Sequence, residues 1–331
     1  MNAWIRAAAL VWMGCGAAAY ADVAIDKFLE GSPDGSVTVE CIKGSVTIEG
    51  WDKNEVHVTG VQPNGVERID YLSDNGDVTI KVIYPKRSRS AGEAVINVKA
   101  PMGNEANVGV VSAKVTITNM LGGATIKGVS GKVEVKGVEG PVIANTVSGG
   151  ITIDSPASEV RAGTVSGSIS IANTMGDIYT ETVSGSTRIE SNHLQDIDCE
   201  SVSSSIQIKG KFETPGEVEL ESHSGSLTVF GGPIAKLRAE SMSSSVKAEI
   251  EPTPDADIEM SSFSGGVGLY LPADIQAEFE LESFSGSINI TGITAAEMNK
   301  SARRIEFETG NDPDLKIEAT SFSGSVSVEG K

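Results

Sequence analysis

Val147-Ser148-Gly149-Gly150-Ile151-Thr152-Ile153 is answered 18 residues later by Val165-Ser166-Gly167-Ser168-Ile169-Ser170-Ile171, and this recurrence decides the fold. Outward from that pair, equivalent serines stand at Ser112, Ser130, Ser184, Ser203, Ser224, Ser243, Ser264, Ser285 and Ser323. The intervals are 18 to 21 residues, with a last one of 38. A period near 20 residues belongs to solenoids, in which each repeat is one coil laid on the last.

The columns of the repeat sort by chemistry. Six and four residues before the serine stand apolar pairs such as Val160 and Ala162, or Leu237 and Ala239; three and five residues after it stand pairs such as Ile206 and Ile208. Apolar residues two apart with polar ones between have the period of a half-buried strand. Each coil therefore holds two strands. The Ser-Gly between them is a corner, because glycine takes backbone conformations closed to other residues and serine bonds its own backbone. The predicted fold is all-β: a parallel β-solenoid of 18–21-residue coils, right-handed winding favoured. Its register is testable through charge. Lys236 should lie between Glu217 and Asp257, and Arg238 between Glu219 and Glu259, which a one-residue slip would destroy.

Two columns bear on function. The residue before the serine is Val in early coils, then His223, Met242, Phe263, Phe284 and Phe322. Its growth with coil length points to a buried corner filler; strand parity gives the alternative, an exposed stripe forming an interaction surface. Three residues before the serine stand Glu181, Glu200, Glu221 and Glu240 on successive coils, then Ser261 and Glu282. Stacked carboxylates repel unless a cation lies between them. This column is either a solvated acidic edge or a candidate site for weak divalent-cation binding, Ca2+ for example, or for a basic partner. The Thr or Ser two residues before the corner serine, from Thr146 to Ser321, reads as a hydroxyl ladder for the corner backbone.

Residues 1–21 have the form of a secretory signal: Arg6, an apolar run, and Ala19-Tyr20-Ala21 before Asp22. Cleavage after Ala21 is expected, with lipidation at Cys15 the alternative, and the location is secreted or periplasmic. No later apolar run approaches a membrane span. Cleavage removes one base, Arg6, leaving 25 bases against 45 acids. That excess excludes nucleic acid as a partner, since it is a polyanion, and the short cluster Lys86, Arg87 and Arg89 does not reverse it. Cys41 and Cys199 lie many coils apart, beyond disulfide reach, so both should be buried thiols.

Residues 22–110 read as an irregular N-terminal β cap, and 111–331 as the regular solenoid with a degraded coil or helical excursion at 292–311. Thr294 to Arg304 is the one helix-like stretch. Caps limit end-to-end assembly without forbidding it, and a monomer is expected.

The stretch Gly44-Ser45-Val46-Thr47-Ile48-Glu49-Gly50-Trp51-Asp52-Lys53-Asn54-Glu55-Val56-His57-Val58, the segment Ile96-Asn97-Val98-Lys99-Ala100-Pro101 and the Val-Ser-Gly-Ser-Ile-x-Ile coils together resemble the bacterial putative-adhesin family, domains of unknown function similar to the head domains of autotransporter adhesins. The likeness covers about residues 30–331. It implies a secreted β-helix-like protein with no established enzymatic activity.

The residues agree in lacking a catalytic set. His57, His193 and His223 are far apart, no Cys/His spacing suits zinc, and a serine repeated in every coil is structural, since a nucleophile needs one base and one orienting acid. No cofactor fingerprint is present. The function expected is a non-catalytic structural or adhesion module at the cell envelope, with a glycan or protein as partner. The alternatives are a polysaccharide-active β-helix enzyme, disfavoured by three Trp of which two lie in the signal, and a self-assembling envelope scaffold.

Overall fold

The computed structural model describes residues 22–85, 92–295, 298–311 and 313–331. The expected signal with Cys15, and the cluster Lys86, Arg87 and Arg89, lie outside them. Every regular element among the described residues is a strand.

Alternating side chains build two parallel sheets, one from the arm before each corner and one from the arm after it. Before the corner, Val142 lies on Val160, Val160 on Ile178 and Ile178 on Ile197. After it, Ile151 lies on Ile169, Ile169 on Thr187 and Thr187 on Ile206. Thr187 apart, like sits on like, and Ile151, Ile169, Ile178 and Ile206 are fully buried. Each such side chain contributes about 1.5–3 kcal/mol of transfer free energy, opposed by the entropy of ordering its coil. The charge test is met: Lys236 pairs with Glu217 and Asp257, and Arg238 with Glu219 and Glu259. Cys41 and Cys199 are buried free thiols.

Coil length has a local cause. In 18-residue coils the return from second arm to next first arm is a tight turn, with Asn119 and Asn173 at φ 57°, a left-handed conformation asparagine tolerates. In the longer coils Ile206–Ser222, Leu227–Ser241 and Val246–Ser262 run through the bend as continuous strands, with register shifts where they turn.

At both ends the order of coils in space departs from their order in the chain. Near the amino end Ser36–Trp51 lies directly against Glu105–Thr118, and on its other side rest Asp77–Ile83 and Ala94–Pro101. The parallel stack therefore reaches well into the segment expected to be an irregular cap. The cap proper is antiparallel: Arg68–Asp74 on Asp77–Ile83, Glu55–Gln62 on Ala94–Pro101, and Val23–Glu30 outside that. At the other end Asp257 to Ser262 pairs with Lys316–Ser321, which pairs in turn with Glu278–Ser283. The last coil in sequence is thus inserted beneath the one before it.

Of the two alternatives expected at 292–311, a degraded coil or a helical excursion, the described residues hold no helix. Met298–Lys300 and Arg304–Glu308 form an antiparallel hairpin laid on Glu278–Ser283. A helix here would leave the terminal coil's backbone edge unpaired. The hairpin closes that edge and sets Phe307 against Phe279, ring centroids 4.5 Å apart, both buried. Edge pairing overrides the weak helix preference of a stretch too short to hold a helix by itself.

Candidate functional site

The corner is built from an inward hydroxyl and an outward apolar residue. Thr164 Oγ1 accepts from the Gly167 amide at 3.0 Å, Ser222 Oγ from Gly225 at 2.8 Å and Ser321 Oγ from Gly324 at 2.8 Å. The hydroxyl ladder is present in most coils; in the coil of Thr182 the buried Oγ1 has no partner. A corner glycine such as Gly185 is needed because a Cβ there would lie 1.9 Å from the Gly167 carbonyl oxygen in the coil beneath.

With the hydroxyl turned in, strand parity turns the next residue out. Val165 is 47% exposed, Phe263 55% and Phe322 43%, so the corner column is not the buried filler its growth with coil length suggested. It forms a ridge along the stack: Ile42, Val111, then Val129 through Val202, His223, Met242, Phe263, Phe322 and Phe284. The rings of Phe263 and Phe322 stack at 4.8 Å and those of Phe322 and Phe284 at 4.7 Å, in the interchanged coil order. The Arg303 guanidinium, 3.8 Å from the Phe284 centroid, covers the end of this run.

Beside the ridge lies the acidic column. Glu181 pairs in register with Glu200, Glu200 with Glu221, Glu221 with Glu240 and Glu240 with Ser261. Thr320 then separates Ser261 from Glu282. Ridge and column wall a groove of about 470 Å³ running from Glu181 to Phe263, and between the walls it is lined by Ser201, Ser222 and Ser241, whose side chains are buried. Arg238 Nη2 lies 2.7 Å from Glu240 Oε1 and also approaches Glu219 and Glu259. Among the described residues no basic side chain lies within ion-pair distance of Glu181, Glu200 or Glu221. Partial burial first, then the nearby charges of Asp198, Glu221, Glu181 and Glu219, raise the Glu200 carboxyl above its ordinary value. Asp198 is raised by burial and by Glu219. Also among the described residues, no three His, Cys, Asp or Glu side chains converge as a metal site; the carboxylates stand in file instead of converging.

A second concavity, about 910 Å³, lies on the sheet of the second arms. Of its lining residues, Lys331 sits with Nζ 4.4 Å from the Tyr270 centroid, and Lys247, which is not part of the lining, reaches Tyr270 at 4.7 Å and Phe230 at 5.8 Å. The columns that bore on function in the sequence lie at the corner and on the first arms, and do not include it.

Stacked coils with a lengthwise groove define a parallel β-solenoid. The chain belongs to the Toastrack DUF4097 family, whose model matches residues 157–329, just over half of it. No curated protein matches. Among solved structures the chain is similar to a putative cell adhesion protein from Clostridium sporogenes ATCC 15579 (9% identity, 94% of this chain and 100% of that one, TM-score 0.21). It is also similar to a putative adhesin from Bacteroides fragilis NCTC 9343 (11%, 93% and 97%, 0.26), and to a putative lipid binding protein from Parabacteroides distasonis ATCC 8503 (14%, 94% and 97%, 0.28). Likenesses this distant carry no argument about what the chain binds. No described helix is long and apolar enough to cross a membrane.

Proposed function

We propose that the chain is a non-catalytic binding module of the cell envelope, secreted or periplasmic, which engages an envelope protein or glycan along its corner ridge. One observation carries this reading: an apolar side chain, exposed by strand parity, stands at nearly every corner from Ile42 to Phe284. At ~4.8 Å per coil the ridge is roughly 50 Å long. Exposed apolar surface of that continuity costs solubility unless something covers it, and it marks interaction sites. A solenoid suits the task because its backbone ladders, over a core that runs the length of the stack, hold every corner in file. Repeated side chains also speak for binding, since catalysis needs a unique acid–base set.

The test compares the full chain with the triple variant Phe263→Ser, Phe284→Ser, Phe322→Ser on isolated bacterial envelopes and on a glycan array. Loss of binding with an unchanged melting temperature is expected. Undiminished binding by the variant would remove the ridge from the function, and release of cleaved saccharide from the array would make the protein an enzyme.

A further inference from the structure

Resting on the ridge as the contact surface, we infer that the groove between Glu181 and Phe263 takes an extended polypeptide segment carrying both basic and apolar side chains. The two walls differ in kind. Glu181, Glu200 and Glu221 line one side without a cation of their own, and Val202, Met242 and Phe263, each about half exposed, line the other. Both walls continue from coil to coil, broken by His223 in the apolar one and ending at Ser261 in the acidic one, so the occupant is linear; a compact small molecule would use one coil and leave the rest unmet. From the level of Glu181 to that of Ser261 the rise is roughly 19 Å, the span of about six extended residues.

Charge complementarity fixes the sign. Asp198 stands outside Glu200 and adds to the negative field, and Arg238, the base nearest the column, is already shared among Glu219, Glu240 and Glu259. An anionic chain is repelled. A neutral saccharide leaves three like charges in file unrelieved, and a divalent ion finds no convergent ligands. Lysine or arginine side chains meet the carboxylates at full charge, and their aliphatic stems lie along the apolar wall. The period of an extended chain, near 6.6 Å between side chains on one side, differs from the coil period, and long flexible basic side chains absorb that mismatch.

The experiment uses the full chain and three labelled synthetic decapeptides: alternating Lys-Leu, alternating Glu-Leu and alternating Lys-Ser. Binding is followed by fluorescence anisotropy at neutral pH, at low and at high salt. Saturable binding of the Lys-Leu peptide is expected, weakened by salt and roughly tenfold weaker for Glu181→Gln, Glu200→Gln, Glu221→Gln. Lys209→Gln with Lys211→Gln, on the other sheet, should leave it unchanged. Removing like charges does not endanger folding, and the triple Gln variant should melt no lower than wild type. Absence of Lys-Leu binding, insensitivity to the triple Gln change, or equal binding of either control peptide would overturn the inference. So would a concentration-dependent dimer in sedimentation velocity that the Gln variant abolishes, because the occupant would then be a second copy of the chain. If the Phe→Ser variant loses envelope binding while the Lys-Leu peptide fails to bind, the ridge stands and the cationic partner falls; if that variant keeps envelope binding, the ridge itself falls.

Discussion

The interchange of the last two coils can be tested with a single cross-link. Glu318 lies between Glu259 and Glu280, in register with both, on the outer face of the first-arm sheet. Neighbouring strands are ~4.8 Å apart, so Glu259→Cys with Glu318→Cys places two Cα atoms inside the roughly 4.4–6.8 Å range a disulfide accepts. Stacking in chain order would instead make Glu259 and Glu280 the neighbours. In the observed order those two stand ~9.6 Å apart, beyond the limit of about 7 Å. The 259–318 bond would close a loop of roughly 60 residues, for which chain entropy gives about 4 kcal/mol of stabilisation. Cys41 and Cys199 are buried and should not compete. Each double variant is oxidised, run on non-reducing gels, mapped by mass spectrometry and melted with and without reductant. Quantitative 259–318 linkage with a raised melting temperature is expected, with no 259–280 linkage in the control. Efficient 259–280 linkage beside free thiols in the 259–318 pair would refute the interchange.

Ser222→Ala strips the Gly225 amide of its acceptor and should cost about 1–3 kcal/mol in urea unfolding; Ser222→Thr, which restores the hydroxyl found at Thr164, should recover most of it. Ile169→Ala should cost about 2–5 kcal/mol, whereas Val165→Ala, on the exposed ridge, should stay within about 0.5 kcal/mol; equal costs by the same assay would put Val165 back in the core. Because the Glu200 carboxyl is raised in the folded state, that state holds its proton more tightly than the unfolded chain does. Its contribution to stability is therefore greatest at pH values below the ordinary carboxylate range and is lost as pH rises through the raised folded value. Glu200→Gln should accordingly raise the melting temperature at pH 7 by on the order of 1–2 °C, and the gain should vanish near pH 4; a lower melting temperature at pH 7 would show that Glu200 has a stabilising partner.

What the residues alone determined is everything set by local alternation and equal spacing. Apolar side chains two apart fix the strands, a serine every 18 to 21 residues fixes the corners, and the sandwiches around Lys236 and Arg238 fix the register, because each depends only on which face a residue presents and what lies one coil away. The acidic column was legible for the same reason. The facing of the corner residue was not, since growth from Val to Phe argued for a filler while parity argued for exposure; only the inward turn of Thr164 or Ser222 onto the corner amide decided it.

Coil order at the ends and the fate of residues 292–311 belong to tertiary structure. The ladder above Ile258 accepts Ile317 or Phe279 with nearly equal chemistry, so periodicity cannot choose between them. The choice is made by closing the last edge, where the hairpin pairs with Glu278–Ser283 and Phe307 packs on Phe279. Those contacts join residues far apart in the chain, and their stabilisation exists only once the rest of the stack is in place.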